Sequence, residues 1–532
     1  MSFKANSKKL ILFLITLLFS SNLIFANQVD QQIDKAFGSA TGWFVKFIFY
    51  AIPFSENVAI PWVLFPLIIG AVYFTIYFNF VNFRNFKTAI QIVSGKFDKL
   101  DQDHATNVNP SANLHTVDGD IVDTIKDEAA TGEVTHFQAL TAALSGTVGL
   151  GNIAGVAVAI SIGGAGATFW MIVAGLIGMA SKFTECTLGV KYRDIDANGV
   201  VYGGPMYYLK KGFAEMNLGT LGRILAVLFA IMCIGGSFGG GNMFQANQAF
   251  KMFVNITGGE NSFAMGYGWL FGLIMAVIVA VVIIGGIKSI ARVTDKIVPF
   301  MVGIYVIASL IIIFMHLGHL GTAFKEIIDG AFSAKSVAGG AIGVLIQGFK
   351  RAAFSNEAGI GSASIAHSAV KTKYPASEGL VGLLEPFIDT VIVCTMTALI
   401  IIITDHHLVG ASSTDEGVKL TSDAFASVLP WFPYILALAV ILFAFSTMIS
   451  WSYYGVQAWS YLFGRSKATE YTYKVIFCLF VIIGAASSLG SVIDFSDAMI
   501  FAMMVPNMVG LLLLAPKAKK ELKRYLEAIK NS

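Results

Sequence analysis

The sequence predicts an all-α polytopic membrane protein of about eleven spans, and three observations carry that class. Hydrophobic residues make up 56% of the 532 and charged residues 13%, with a mean hydropathy of +0.71, outside the range of soluble domains. The apolar residues gather into runs long enough to cross a hydrocarbon core about 30 Å thick. Between these runs the Lys and Arg residues crowd onto alternate loops, the bias that orients membrane helices.

Taken in order, the chain opens with Lys4, Lys8 and Lys9, an apolar run from Leu10 to Phe19, and a small-residue exit through Ser20, Ser21 and Ala26. A basic start, a short apolar centre and small residues describe a removable signal over 1–26. An uncleaved first helix is the competing reading. Residues 27–60 form a periplasmic or interfacial segment, whose aromatic stretch from Trp43 to Phe54 is too brief to span. The first convincing span is 61–83, and Arg84, Lys87, Lys96 and Lys99 place its end in the cytoplasm. Residues 84–136 read as a cytoplasmic linker, polar and acidic from Asp101 to Glu133.

Ten further spans follow, at 137–161, 165–190, 221–251, 267–287, 297–317, 337–368, 379–404, 421–463, 472–488 and 493–515. If they alternate in direction, one set of loops holds Lys191, Arg193, Lys210, Lys211, Lys288, Arg292, Lys371, Lys373, Arg465 and Lys474. The opposite set holds mainly Lys251, Lys325, Lys335 and Lys419. The asymmetry puts both ends of the ten-span unit inside, with a basic cytoplasmic tail at 516–532. Cys186, Cys233, Cys394 and Cys478 lie in apolar stretches without metal-ligand spacing and read as small buried hydrophobes.

The first of the ten spans carries Ser145-Gly146-Thr147-Val148-Gly149-Leu150-Gly151-Asn152 at its middle. Each Gly weakens a helix by about 1 kcal/mol against Ala, and unwound backbone survives at membrane depth only where it is buried in protein or lines a cavity. Close packing of two helices by small residues is the plainer alternative. The sixth span holds an echo, Ala358-Gly359-Ile360-Gly361-Ser362, and five spans separate the two, so equivalent segments run in opposite directions. Glycine-interrupted helices at matching places in inverted halves point to a carrier's midplane site.

These blocks also resemble the alanine or glycine:cation symporter family. The resemblance is carried by 137–140, 147–156 and 169–171, by Gly203-Gly204-Pro205-Met206-Tyr207-Tyr208 and by Gly241-Asn242-Met243-Phe244-Gln245-Ala246-Asn247. It continues through 354–362, 385–390 and Trp451-Ser452-Tyr453-Tyr454-Gly455, and covers about 61–516. It implies a LeuT-type core of two inverted five-helix repeats, 137–317 and 337–515, with one extra N-terminal transmembrane helix. It further implies secondary active, sodium-coupled uptake of alanine or glycine, L or D, across the cell inner membrane by alternating access, with the proton as the other candidate coupling ion. The partners implied are the small amino acid and the lipid bilayer; a monomer is compatible with this, and no nucleic acid is involved.

A zwitterion needs N–H donors for its carboxylate and acceptors for its ammonium, and a broken helix offers both where its halves meet. On the resemblance, the amides at Leu150 and Gly151 serve the substrate carboxylate, beside Thr147. The carbonyls of Ser145 and Val148, with the hydroxyls of Ser446 and Thr447, serve sodium, a hard cation that takes oxygen ligands. The Asn152 side-chain oxygen belongs to a sodium site next to the substrate. Asn242 and Gln245 contribute from the glycine-rich third span, Phe354 forms a side wall, and Trp451 caps the pocket and keeps it small. Packing, interhelical hydrogen bonds and back-bonding of hydroxyls to their own helix are the structural alternatives for these residues. Intramembrane charges are functional suspects: Arg351 and Glu357 flank the second break as an ion pair or gate, and Asp389 bears on coupling, gating or helix pairing.

Enzymatic readings find no support. The chain has no H-E-x-x-H, no G-x-S-x-G between strand and helix and no P-loop. A channel would need repeated symmetric pore segments, whereas the two breaks here are unlike.

Overall fold

The computed structural model describes residues 23–55, 58–102, 116–117, 120–121, 132–196, 199–333, 340–408 and 417–531. The chain is mostly helical. Seven described helices are long and apolar enough to cross a membrane, eight if one bent pair counts as a single span. Most of the predicted signal lies outside the described residues.

Helix α1 (Leu23–Ile48) runs through the expected cleavage point and leads into the antiparallel hairpin β1 (Ala51–Ser55) and β2 (Val58–Pro61). Its outer face exposes Trp43 and Phe47, and Phe37 and Phe49 pack edge-on against Phe495 and Phe501. Helix α2 (Leu64–Tyr77) falls inside the predicted first span but is only 14 residues long. Beyond it, α3 (Phe86–Val93) buries Ala89 and Ile92 on one side and exposes Ile90 on the other. Of the linker, only the two-residue strands β3 (Thr116–Val117) and β4 (Asp120–Ile121) are described between 103 and 131.

The first of the ten spans is the bent pair, α4 (His136–Thr147) and α5 (Gly151–Gly163), which meet at 50°. Thr135 starts α4 with a capping box, its hydroxyl accepting the Gln138 N–H while Gln138 Oε1 accepts the Thr135 N–H. At Val148 the backbone leaves the helix (φ −74°, ψ 92°), and the Asn152 side chain accepts the Gly149 N–H at 2.8 Å in place of a helical carbonyl. Gly149 is required there by close approach, since a Cβ would stand 2.4 Å from Thr447 Oγ1.

Helix α6 (Ala167–Lys191) returns, and β5 (Asp194–Ile195) pairs antiparallel with β6 (Val201–Tyr202) in the next loop. Then come α7 (Pro205–Ala214), α8 (Gly219–Ile256), α9 (Gly268–Ile283) and α10 (Gly286–Met315). Helix α8 carries a π-helical turn at Gly239–Met243. Helix α11 (Leu317–Phe332), buried only at Ala323, Ile327 and Ala331, is an element that the sequence reading left between spans; a half-exposed helix has too weak a hydropathy peak to show.

The second break separates α12 (Gly340–Asn356) from α13 (Ala363–His367). Positive φ values at Glu357 (56°), Gly359 (82°) and Gly361 (100°) turn the chain. A Cβ on Gly361 would meet Pro205 Cγ at 2.7 Å, so this turn too is held by a close neighbour. Helix α14 (Pro375–Ile403) has a π-helical stretch at Phe387–Cys394. The predicted span 421–463 is two helices, α15 (Gly417–Val428) and α16 (Phe432–Phe463), parted at Pro430, which lacks the N–H that a continuing helix needs. Helices α17 (Lys467–Ala486) and α18 (Leu489–Lys530) complete the chain, and α18 absorbs the expected tail by burying Ala518, Leu522 and Tyr525. The core is one large apolar cluster around the breaks with a small second one at Val134, Ala139, Val201 and Val370, and the outer faces of α9 and α10 present Val277, Val281, Ile307 and Phe314 as an apolar belt.

Candidate functional site

The two breaks face each other across a cavity of about 10 Å³, room for a single water, lined by Gly146, Thr147, Gly151, Gly240, Gln245, Phe354, Glu357, Trp451 and Ile500. Each wall has a local cause. The π-helical turn on α8 frees the Gly240 carbonyl, which accepts from Gln245 Nε2 at 2.9 Å, while Gln245 Oε1 accepts the Leu150 N–H at 3.3 Å. Trp451 lies against this turn because Gly241 has no side chain; a Cβ there would stand 2.2 Å from the indole Cγ. The indole Nε1–H is shared between Gly146 O (3.3 Å) and Glu357 Oε1 (3.1 Å), so one ring ties both breaks together. Phe354 closes the side, edge-on to Phe244 at 5.2 Å.

Beside the cavity, oxygens of α4 and α16 converge. Thr447 Oγ1 donates to Ser145 O at 3.0 Å and Ser145 Oγ donates to Ser446 O at 2.8 Å. The Ser446 hydroxyl itself is back-bonded to Phe443 O at 3.0 Å, so this residue offers its carbonyl to α4 rather than its side chain. On the other flank Asn152 Nδ2 donates to Asp389 Oδ1 at 2.5 Å, and Ser355 and Thr390 donate to Asp389 Oδ2 at 2.8 and 2.7 Å. Asp389 is thus a fully buried carboxylate with three donors from three elements, the arrangement a buried charge needs.

At one end of the bundle, Arg351 and Lys350 on α12 both pair with Asp497 on α18. The other end carries the basic loops. There the parallel bridge Val134↔Val370 joins the start of α4 to the end of α13, and Arg193 donates to the carbonyls of Ser368, Val370 and Thr372. Glu133 Oε1 accepts the Val201 N–H at 2.9 Å, and burial pushes its carboxyl above the ordinary value against the opposing pull of that N–H and of Lys288. A hollow of about 260 Å³ opens beside it, with Tyr202, Lys288, Tyr453, Gln457, Glu470 and Lys474 among its walls.

Comparison with known proteins adds to this geometry. Residues 116–532 match the sodium:alanine symporter family. The sodium/alanine symporter AgcS of Methanococcus maripaludis is 40% identical over 410 residues, covering 76% of this chain and 87% of that relative. The chain belongs to the sodium:alanine symporter family. The amino-acid carrier protein AlsT of Bacillus subtilis is 32% identical over 88% of this chain and 90% of that one. The probable sodium/glutamine symporter GlnT of the same organism is 34% identical over 74% and 78%. Among solved structures, MhsT in complex with L-phenylalanine shares the fold, with a TM-score of 0.52 over 74% of this chain and 93% of that one at 17% identity. The chain is accordingly an amino-acid transporter of a symporter family, multi-pass in the membrane.

Of the residues that the sequence pointed to, Thr147, Gly151, Gln245, Phe354 and Trp451 line the cavity, and Leu150 meets it through its amide. Asn242 does not: its Nδ2 donates to Phe477 O on α17 at 2.7 Å. Ser145, Thr447 and the Ser446 carbonyl lie together, Val148 marks the break itself, and Asn152 stands apart on the Asp389 side with its oxygen on the Gly149 N–H. Glu357, read as a gate, is a wall of the cavity, whereas Arg351 belongs to the Asp497 pair. The sequence named Thr390 beside Asp389 and the glycine-rich stretch that holds Gly240; it passed over Ser355, whose signal was its adjacency to Phe354, and over Ile500, which had none.

Proposed function

We propose that the protein is a sodium-coupled carrier of small neutral amino acids, alanine or glycine, in the cell inner membrane. On this reading the core is two inverted repeats of five helices behind one extra N-terminal span, about eleven crossings in all, with the basic end and the tail in the cytoplasm. The observation that carries it is the meeting of two broken helices at one small closed cavity, tied together by a single indole. Backbone left bare at α4 and α5 suits a carboxylate and a hard cation, and Glu357 suits an ammonium.

Each half of the work falls to named residues. Leu150 and Gly151 orient the substrate carboxylate by their amides, Thr147 and Gln245 hold it from the sides, and Phe354 with Trp451 limits the side chain to a methyl or less. Ser145, Val148, Ser446 and Thr447 hold sodium between α4 and α16, and Asn152 carries the link to Asp389. Binding then favours one packing of the breaks over the other, which is what coupling requires. The pair at Asp497 acts as the closure at one end, with the hollow beside Glu133 as the exit at the other. Uptake by purified protein in proteoliposomes, with an amino-acid panel under separate sodium and proton gradients, tests the reading. Saturable alanine or glycine uptake that collapses with the sodium gradient is expected. Flux without a gradient requirement would refute it, and uptake driven by protons alone would replace sodium as the coupling ion.

A further inference from the structure

Below the second break lies a buried run of acids and bases to which the transport reading gives no task. It starts at His136, at the basic end of α4, whose Nδ1 meets Glu378 Oε2. Glu378 Oε1 is 2.5 Å from His367 Nδ1, and His367 Nε2 meets Glu385 Oε1. Lys182 Nζ lies 3.2 Å from Glu385 Oε2 and 3.7 Å from Glu185 Oε1. Glu185 Oε2 accepts from Asn507 Nδ2, the same amide that holds Gly359 O inside the break. Lys182, Glu185, His367, Glu378 and Glu385 are each 0% exposed and His136 is 9% exposed, so this histidine is the end nearest to water.

The charges do not balance. Glu357 opens the same turn as Gly359, whose carbonyl shares the Asn507 amide with Glu185, which makes the cavity carboxylate the far end of the run. Four carboxylates, Glu185, Glu357, Glu378 and Glu385, therefore face three bases, and even with both histidines charged one negative charge is left over. An unmatched charge at this depth is costly, so one acid holds a proton or a cation comes to it. Glu357 is the acid with neutral partners, taking its hydrogen bonds from Trp451 Nε1 and Ser362 Oγ. The other titratable groups around the run are Cys186, Cys233, Tyr208, Tyr454 and Asp389; the thiols and the phenols are neutral at physiological pH, and Asp389 has its own donors.

We propose that this run conducts a proton between the cytoplasmic face and Glu357, so that the cavity binds either a proton or the ammonium of the amino acid. The inference rests on the amino-acid reading of the cavity. When the ammonium arrives, the Glu357 O–H bond breaks and the carboxylate keeps the electron pair. The proton passes to the Glu185 and Lys182 end, and one hop along each acid–base contact delivers an equivalent proton from His136 to water. Departure of the substrate reverses the sequence, so no proton is consumed over a full cycle. Lys182 Nζ stands between the two acids, 3.2 Å from Glu385 Oε2 and 3.7 Å from Glu185 Oε1, so the ammonium is the joint of the run at this point. Cys186, His367 and Glu385 also have ligand atoms within 4.8 Å of one another, but His367 already spends both ring nitrogens on carboxylates.

The test is stopped-flow addition of alanine with sodium to proteoliposomes loaded with a pH-sensitive dye, with uptake measured on the same vesicles. A transient internal acidification of about one proton per carrier is expected, since a group whose affinity for protons falls on binding must release them. It should vanish in Glu357→Gln and slow at least tenfold in His136→Gln and His367→Gln. His136→Gln lies at the rim and keeps the test available if the buried variant fails to fold. Alanine uptake without a pH transient, wild-type transients in both histidine variants, or a transient abolished by a metal chelator would each overturn the proton path while leaving the carrier reading intact. Absence of alanine uptake in the wild type would overturn the carrier reading first.

Discussion

Gly149→Ala is the sharpest test of the first break. The added methyl carbon would stand 2.4 Å from Thr447 Oγ1, about 0.6 Å inside the 3.0 Å that such contacts respect, so α4 and α16 must separate there. That separation acts directly on the 3.0 Å bond from Thr447 Oγ1 to Ser145 O. Overpacking of this kind costs about 1–3 kcal/mol and a strained hydrogen bond about 1 more. If this cost falls on the ion-bound state, it weakens apparent sodium affinity roughly 25- to 700-fold, at 1.4 kcal/mol per decade. The control is Gly155→Ala on the same bent pair, where a Cβ meets nothing within 4 Å and the change adds helix propensity. The assay is alanine uptake against sodium concentration, with thermal stability in detergent read alongside. Wild-type sodium dependence in Gly149→Ala, or equal damage in Gly155→Ala, would refute the argument that close approach at this glycine builds the ion site.

Other outcomes are expected from the same geometry. Asn152→Ala, Thr447→Ala and Gln245→Ala should each cut sodium-driven uptake at least tenfold while insertion, read by membrane fractionation, is unchanged; transport at wild-type rates in all three would exclude the site. Trp451→Leu should admit larger amino acids such as leucine, seen as inhibition of alanine uptake by the larger substrate. Glu133 binds its proton more tightly folded than unfolded, so its contribution to stability is present below the ordinary carboxylate range and is lost as pH rises through its raised value. Melting temperature measured against pH should show that loss in the wild type and a flatter profile in Glu133→Gln.

The breaks were legible because glycines beside an asparagine recur in an echo five spans on, which weighs unwinding above the close helix packing that small residues also serve, and Gly149, Gly151, Gly359 and Gly361 lie at the turns. The direction of Asn242 was not legible. It sits within the π-helical turn at Gly239–Met243, and an inserted residue rotates the rest of the helix by about 100°, which no periodicity argument anticipates. Nor could sequence show the run from His136 to Glu185. His136 and Glu378 are 242 residues apart, and only the folded bundle makes them neighbours. Helix α11 and the division at Pro430 were lost for opposite reasons, one too polar for a hydropathy window and the other hidden inside two adjoining apolar runs.

The bridge between Val134 and Val370 has a mechanical corollary. It ties the start of the first interrupted helix to the end of the second by backbone hydrogen bonds, with the Glu133 and Val134 amides on Ala369 O and the Lys371 amide on Val134 O, over a small apolar cluster that includes Ala139, Ala369 and Val370. These hydrogen bonds do not depend on which side chain, proline apart, stands at 133, 134 or 371, so the two halves swing as a single lever unless those peptide groups first let go. A crosslink across 134 and 370 would leave a lever of this kind working and would jam a machine whose halves part company.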